Sequence, residues 1–268
     1  MEASLSVPTA TSARAVPAKV LIENRAIING HLAHTRGGRV SFTHLIGWAV
    51  VESLSEMPSM NVSYAVDDAG GPVLREPAHI AFGLAVDVPG PDGERRLLVP
   101  SVKRADLMDL AGFVAACEDL VRRAREGGLG VDDFRGTTVT LTNPGMFGTL
   151  HSVPRLMPGQ GLIVGVGAMD YPAAFAGAGE KTLARHGIGK TLTLTSTYDH
   201  RIIQGAQSGE FLRQIHRLLL GADDFYEQIF EALRIPYPPT KWAADIPINR
   251  SHQLGKQARV ANLIDAYR

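Results

Sequence analysis

The sequence predicts an α/β (α+β) fold in which one mixed sheet is covered by helices on one side. Three observations carry that prediction. "TTVTLT" (137–142) and "TLTLTSTYD" (191–199) alternate threonine with valine or leucine, the period of a half-buried strand. "GLIVGVGAM" (161–169) is a short apolar run broken by glycine, as in a strand buried on both faces. Between such runs lie longer stretches with apolar residues three and four apart. The chain has 268 residues, enough for one large core or two modest ones.

In chain order, residues 1–12 are small and polar and read as an N-terminal arm, and 13–237 read as the folded domain. Val20, Leu21, Asn24, Ile27, Ile28 and Leu32 give the first helical stripe, which "RGG" (36–38) breaks. Thr43 is the expected cap of a second helix, whose apolar face carries Leu45, Ile46, Ala49, Val50 and Leu54. Pro58 stands just past its end. "HIAFGLAVDV" and "RRLLVPSV" flank the turn-rich "PGPDGE", which predicts a hairpin. A helix from Asp106 to Glu126 is expected to turn Leu107, Leu110, Val114, Cys117 and Val121 inward, with "EGGLG" as its stop. Residues 171–190 are a Gly- and Ala-rich excursion between strands. After Gly205 a helix buries Phe211, Leu212, Ile215, Leu218 and Leu219, and a short one over 225–233 closes the domain. Residues 238–268, from a proline-rich break to "ARVANLIDAYR", read as a linker.

Composition narrows the function. Lys plus Arg and Asp plus Glu number 27 each, and zero net charge argues against a nucleic-acid partner. The single cysteine, Cys117, excludes an internal disulfide, and the nine histidines lack metal-ligand spacing. Without a long apolar run or a signal-type N-terminus, no membrane association is expected and the protein reads as cytoplasmic. Two stretches carry chemistry. "STYDHRIIQG" (196–205) puts His200 at a strand end, between Asp199 and Arg201, which can pair across the turn. "TLTNPGMFG" (140–148) ends a strand at Thr142 and exposes its hydroxyl beside a Pro-Gly turn, a donor for a developing oxyanion. Each has a plainer reading, a packed strand-end histidine and a capping threonine.

Together these stretches, with "VPTATSARAVPAK", "RVSFTHLIGWAV", "LLVPSVKRAD" and "LMPGQGLIVGVGAMDYPA", resemble the catalytic domain of the dihydrolipoamide acyltransferases of 2-oxoacid dehydrogenase complexes. Within that family the chain is most similar to the succinyltransferase-like domain of actinobacterial 2-oxoglutarate dehydrogenase/decarboxylase fusions. The resemblance implies a chloramphenicol-acetyltransferase-like fold and a homotrimer with active sites between subunits. It implies CoA as substrate, a lipoyl group supplied in trans by another protein's lipoyl domain, and a fused 2-oxoglutarate dehydrogenase/decarboxylase component as partner. The tail then leads toward a missing thiamine-diphosphate-dependent domain. In the family's His-x-x-x-Asp-Gly motif the histidine matches His200, the general base, and the hydroxyl donor to the tetrahedral intermediate matches Thr142. The motif's aspartate is Gln204 here. Its usual arginine partner comes from an early helix that this sequence is read as lacking, so the loop is expected to rest on neutral hydrogen bonds. Arg25, Ser41 and Lys103 match family positions near CoA, whereas a lysine common in relatives is Gly47. The implied activity is succinyl transfer between dihydrolipoyl and CoA, and the competing reading is a catalytically decayed trimeric scaffold. A chloramphenicol-type acetyltransferase acting on a free small molecule fits the "LMPGQG" stretch and the tail less well.

Overall fold

The computed structural model describes residues 7–35, 37–90 and 93–241. Most of the expected linker, 242–268, and residues 1–6 of the expected arm lie outside the described residues. The chain opens with β1 (Thr9–Pro17), α1 (Lys19–His34) and α2 (Phe42–Glu56). Two hairpins and a short pair follow: β2 (Ser63–Val66), β3 (Pro72–Arg75), β4 (Phe82–Leu84), β5 (Val86–Pro89), β6 (Arg95–Leu98) and β7 (Ser101–Val102). Next come α3 (Leu110–Glu126), α4 (Val131–Phe134), β8 (Val139–Thr142), β9 (Leu162–Val166), α5 (Glu180–Arg185) and β10 (Thr191–Asp199). The last elements are α6 (Gly205–Leu219) and α7 (Phe225–Ala232).

Six strands make the mixed sheet, in the order β1-β10-β9-β8-β4-β7. β9, β8 and β4 run parallel, and β10, β1 and β7 run antiparallel to their neighbours. The threonine–leucine alternation sets the faces. Val139, Leu141, Val164 and Leu194 share one core with Phe113 of α3 and Phe211 and Ile215 of α6. The opposite face carries Thr140, Gly165 and Thr195 and is crossed by the segment between β8 and β9, whose Ser152 carbonyl accepts from the Thr195 hydroxyl at 3.0 Å. Two glycines permit that approach: a Cβ at Gly167 would lie 1.8 Å from the Leu150 carbonyl oxygen, and one at Gly165 2.4 Å from Thr195 Oγ1. On the helical face, Phe82 and Phe113 meet edge to face with centroids 5.2 Å apart. Gly47 of α2 points into that pair, its Cβ position 2.9 Å from the Phe82 ring. The position where relatives carry a lysine therefore faces the core here.

Several boundaries differ from the sequence reading. Thr9–Ser12, expected in the arm, are strand: β1 pairs with β10 from Thr9↔Asp199 to Pro17↔Thr191. The small residues of β1 conceal a strand because they form a sheet edge and offer no apolar alternation. The cap of α2 is Ser41 rather than Thr43. The third long helix starts later than expected, because Asp109 caps it by accepting from the Gly112 N–H at 2.7 Å. Asp106 is instead held outside it, accepting from the Ile80 N–H at 2.8 Å and facing His79 Nδ1 at 2.8 Å. The inward face becomes Leu110, Phe113, Cys117, Leu120 and Ala124, and Leu107 is 59% exposed. The hairpin predicted around "PGPDGE" is β5 with β6. The β2–β3 hairpin escaped the reading; its turn is tied by Asp67 Oδ1, which accepts from the N–H groups of Ala69 and Gly71. Among the described residues no helix is long and apolar enough to cross a membrane.

Candidate active site

The N-terminus of α2 forms one wall of a cavity of about 990 Å³. Ser41 and His44 close a reciprocal capping box there. Ser41 Oγ accepts from the His44 N–H at 3.1 Å, and His44 Nδ1 accepts from the Ser41 N–H at 3.3 Å. Histidine thus stands where such boxes usually carry Glu or Gln. Arg25, from α1, donates through Nε to the Val40 carbonyl at 2.8 Å and lies 4.3 Å over the Phe42 ring. Burial, then the Arg39 charge, lowers the Arg25 pKa. Burial, then Arg25, pushes the His44 imidazole down to about 4, so it is neutral at physiological pH. Among the described residues neither Arg25 nor Arg39 has a carboxylate partner. Arg95 and Arg122, which also line the cavity, are neutralised by Asp87 and by Asp119 with Glu126. Arg125 of α3, which also lines the cavity, has no carboxylate partner among the described residues either, so unpaired positive charge stands on α3 as well as at the α2 N-terminus, where the helix dipole adds to it.

Thr142 lines the same cavity. It ends β8, half-exposed, and among the described residues nothing hydrogen-bonds its hydroxyl. The turn that follows is fixed from two sides. Asn143 donates through Nδ2 to Thr43 Oγ1 at 2.9 Å, linking the strand end to α2. Gly145 packs on the Gly167 backbone so closely that a Cβ would stand 2.3 Å from its carbonyl carbon. The cavity thus combines an unpartnered hydroxyl with an anion-attracting end.

His200 does not line this cavity. Sheet register gives the reason. Thr142 sits opposite Gly165, which sits opposite Thr195, and His200 is five residues beyond Thr195, toward the end where β8 begins. At ~3.3 Å per residue and ~4.8 Å per strand, the two are roughly 19 Å apart within one chain. That gap exceeds the reach of an imidazole seeking a hydrogen bond. The His200 ring is exposed and meets Tyr198 edge to face with centroids 5.5 Å apart, and the backbone N–H of His200 donates to the Pro8 carbonyl at 2.9 Å.

The loop around His200 rests on the Asp199–Arg201 pair that the sequence offered, and not on the neutral bonds expected from the Gln204 amide. Arg201 pairs with Asp199 at 2.6 Å, and its guanidinium lies 3.7 Å over the Tyr64 ring. The Asp199 side chain is 3% exposed, so this carboxylate cannot be left without its partner cheaply. Gln204 is the cap residue of α6: its N–H donates to Gln207 Oε1 at 2.8 Å, and its own side chain makes no capping bond. Of the six residues singled out by sequence, the structure gathers Thr142, Arg25 and Ser41 around one cavity and sets His200 and Gln204 together elsewhere. Lys103 joins neither group. Its ammonium donates to Ser101 Oγ at 2.5 Å and to the Arg135 carbonyl, which ties it to the backbone beside β7. His44, Arg39 and Asn143 were missed; the serine three residues before His44 was the readable signal of a capping box.

The family model for the 2-oxoacid dehydrogenases acyltransferase (catalytic domain) matches residues 1–226. The "Multifunctional 2-oxoglutarate metabolism enzyme" of Mycobacterium sp. (strain JLS) is 58% identical over all 268 residues. That of Mycolicibacterium vanbaalenii is 57% identical over the same length. The chain spans 21% of the length of these relatives. Among solved structures, the cubic core of a pyruvate dehydrogenase multienzyme complex superposes with TM-score 0.69 at 26% identity, covering 87% of each chain. The dihydrolipoamide acetyltransferase of Azotobacter vinelandii gives the same values. There a serine, a histidine and an asparagine four positions after the histidine are the subject of work on the catalytic mechanism.

Proposed function

Because the chain belongs to the family of 2-oxoacid dehydrogenase acyltransferase catalytic domains, we propose that it transfers a succinyl group between a dihydrolipoyl thiol and CoA, at a site shared by two copies of the chain. One observation carries the reading: Thr142, its hydroxyl unpartnered among the described residues, lines the same cavity as Arg25, Arg39 and the α2 N-terminus. CoA brings phosphates that suit Arg25, Arg39 and the α2 N-terminus. Its thiol end then extends toward Thr142. The names of the relatives, which concern 2-oxoglutarate metabolism, support succinyl as the acyl group.

His200 supplies the base from a neighbouring copy. Its imidazole takes the proton of the CoA thiol, which near neutral pH is only a few per cent thiolate by analogy with cysteine. The sulfur attacks the carbonyl carbon of the succinyl-dihydrolipoyl thioester. The carbonyl oxygen gains the charge, and the Thr142 hydroxyl donates to it. Collapse breaks the bond to the dihydrolipoyl sulfur, which takes the proton back from the imidazolium. Two thioesters of similar energy are exchanged, so one base and one donor suffice. Gln204 follows His200 at the spacing that separates the asparagine from the histidine in the Azotobacter vinelandii enzyme, and both side chains are amides. A homotrimer supports the same reading, since β8 leads into a segment exposing Met146, Phe147, Leu150 and Val153, each at least 64% exposed. Such a strip at a cavity rim suits a subunit contact. The lipoyl domain and the 2-oxoglutarate dehydrogenase/decarboxylase component are the partners that deliver the acyl group.

The test is an exchange assay with succinyl-CoA and free dihydrolipoamide. Thioester formation on dihydrolipoamide, abolished by His200→Ala, is expected. No exchange with any acyl-CoA, or undiminished exchange in His200→Ala, overturns the assignment.

A further inference from the structure

His44 combines three properties that its capping role does not require. It is 8% exposed, so more than nine-tenths of it is buried, yet it lines the cavity beside Arg25 and Thr43. Its Nδ1 is occupied by the Ser41 N–H, which puts the ring proton on Nε2. Among the described residues Nε2 has no partner. Nε2 is not one of the sealed, unpartnered side-chain atoms of the described residues, so it is reached from the cavity and is free to donate to whatever occupies it. The cavity is the open space that the ring lines.

The surroundings say what would accept. The first N–H groups of α2 end at this wall, and α2 has 15 residues, enough for a developed dipole. Arg25 and Arg39 add uncompensated positive charge. An acceptor there is an anion. We propose that His44 is a CoA-binding residue, its Nε2–H donating to a phosphate oxygen of the nucleotide seated at the α2 N-terminus. This inference rests on the CoA reading above and adds to it a contact made by a neutral donor. Neutrality follows from the depressed imidazole pKa, for which burial and Arg25 are the causes. The contact also offers a substitute for the lysine of relatives, because Gly47 is turned into the core and could not present a cation to this cavity. A neutral donor fits a wall where a third positive charge would face two arginines.

The experiment measures CoA affinity by calorimetry on the intact chain, with thermal melting of each variant as the control for folding. Glutamate and glutamine both fill the capping-box position, so His44→Glu and His44→Gln keep the acceptor for the Ser41 N–H. Gln retains an N–H to point at the cavity, and Glu replaces it with a carboxylate. A charge-assisted hydrogen bond makes the expected loss in His44→Glu at least about tenfold in Kd. His44→Gln should stay within about threefold of the parent, and KM for CoA should follow Kd at unchanged kcat. Parental affinity in His44→Glu overturns the proposal, as does an equal loss in His44→Gln. If the unmodified chain binds no CoA, the functional reading itself fails, an outcome distinct from either.

Discussion

Mixing two inactive variants tests whether the site is shared between copies. Thr142→Ala removes the oxyanion donor and leaves His200, and His200→Ala does the reverse. Within one chain the two positions stand roughly 19 Å apart, from two strand spacings and five residues of rise. A site in which they cooperate must take one from each of two copies. In randomly mixed oligomers with cyclic symmetry, each interface needs an intact threonine on one side and an intact histidine on the other. At equal amounts each condition holds for half of the subunits, so about one quarter of the interfaces are fully intact. Co-expression or co-refolding of the two variants should therefore restore about one quarter of the parental rate per subunit. The assay is exchange between succinyl-CoA and dihydrolipoamide, on mixtures whose mass is checked by sedimentation. Separate pools mixed without subunit exchange should stay inactive. Complete absence of recovery in demonstrably mixed oligomers would refute a two-chain site, because a donor and base acting within one chain can never complement each other.

Other outcomes follow from the same geometry. Thr142→Ala should lower kcat by about 10²–10³ with KM for CoA little changed, and Thr142→Ser should recover most of it, as read by initial rates. Arg201→Met leaves the buried Asp199 carboxylate uncompensated and should cost about 3 kcal/mol in urea unfolding, while adding Asp199→Asn should return part of that loss. Gly167→Ala drives a methyl into the Leu150 carbonyl and should cost at least about 2 kcal/mol, seen as a lowered melting temperature. The His44 pKa is depressed from 6.5 to about 4, so the unfolded chain binds the extra proton between those values. Its contribution to stability is present above pH 6.5 and is lost as the pH falls toward 4, on the order of 3 kcal/mol across that window. A urea-midpoint profile should slope there in the parent and flatten in His44→Gln.

The parts of this fold that the sequence displays are those whose periodicity is strong. β8 and β10 alternate threonine with apolar residues, β9 is the short apolar run of a strand buried on both faces, and α6 shows all five of its anticipated inward residues buried. β1 was hidden because "TATSARAVP" is small and polar, and what makes it a strand is nine residues of pairing with β10. The helix start near 106 was misjudged for a related reason. Asp106 and Asp109 are equally good caps locally, and only the distant Ile80 N–H decides between them. Thr142 and His200 stand at strand ends as their sequence context predicts, and of the two Thr142 lines the cavity. That they are separated was not legible, since direction and register exist only once the strands pair.

His44 shows why the remainder was out of reach. Its serine partner is readable, but whether the ring faces solvent or a cavity depends on Arg25 and Asn143 arriving from α1 and β8. The Asp of the family motif is absent at Gln204, and a charge nonetheless holds the loop, through Asp199 and Arg201 within the turn itself. With that pair in place the backbone around His200 does not need a charged residue at 204. The Gln204 side chain, free of capping duty, is then available to whatever approaches the imidazole. Such a pair adds little stability over an apolar substitute, although removing one partner alone is costly. What the pair does secure is the direction of the residue between its two members, and that residue is His200.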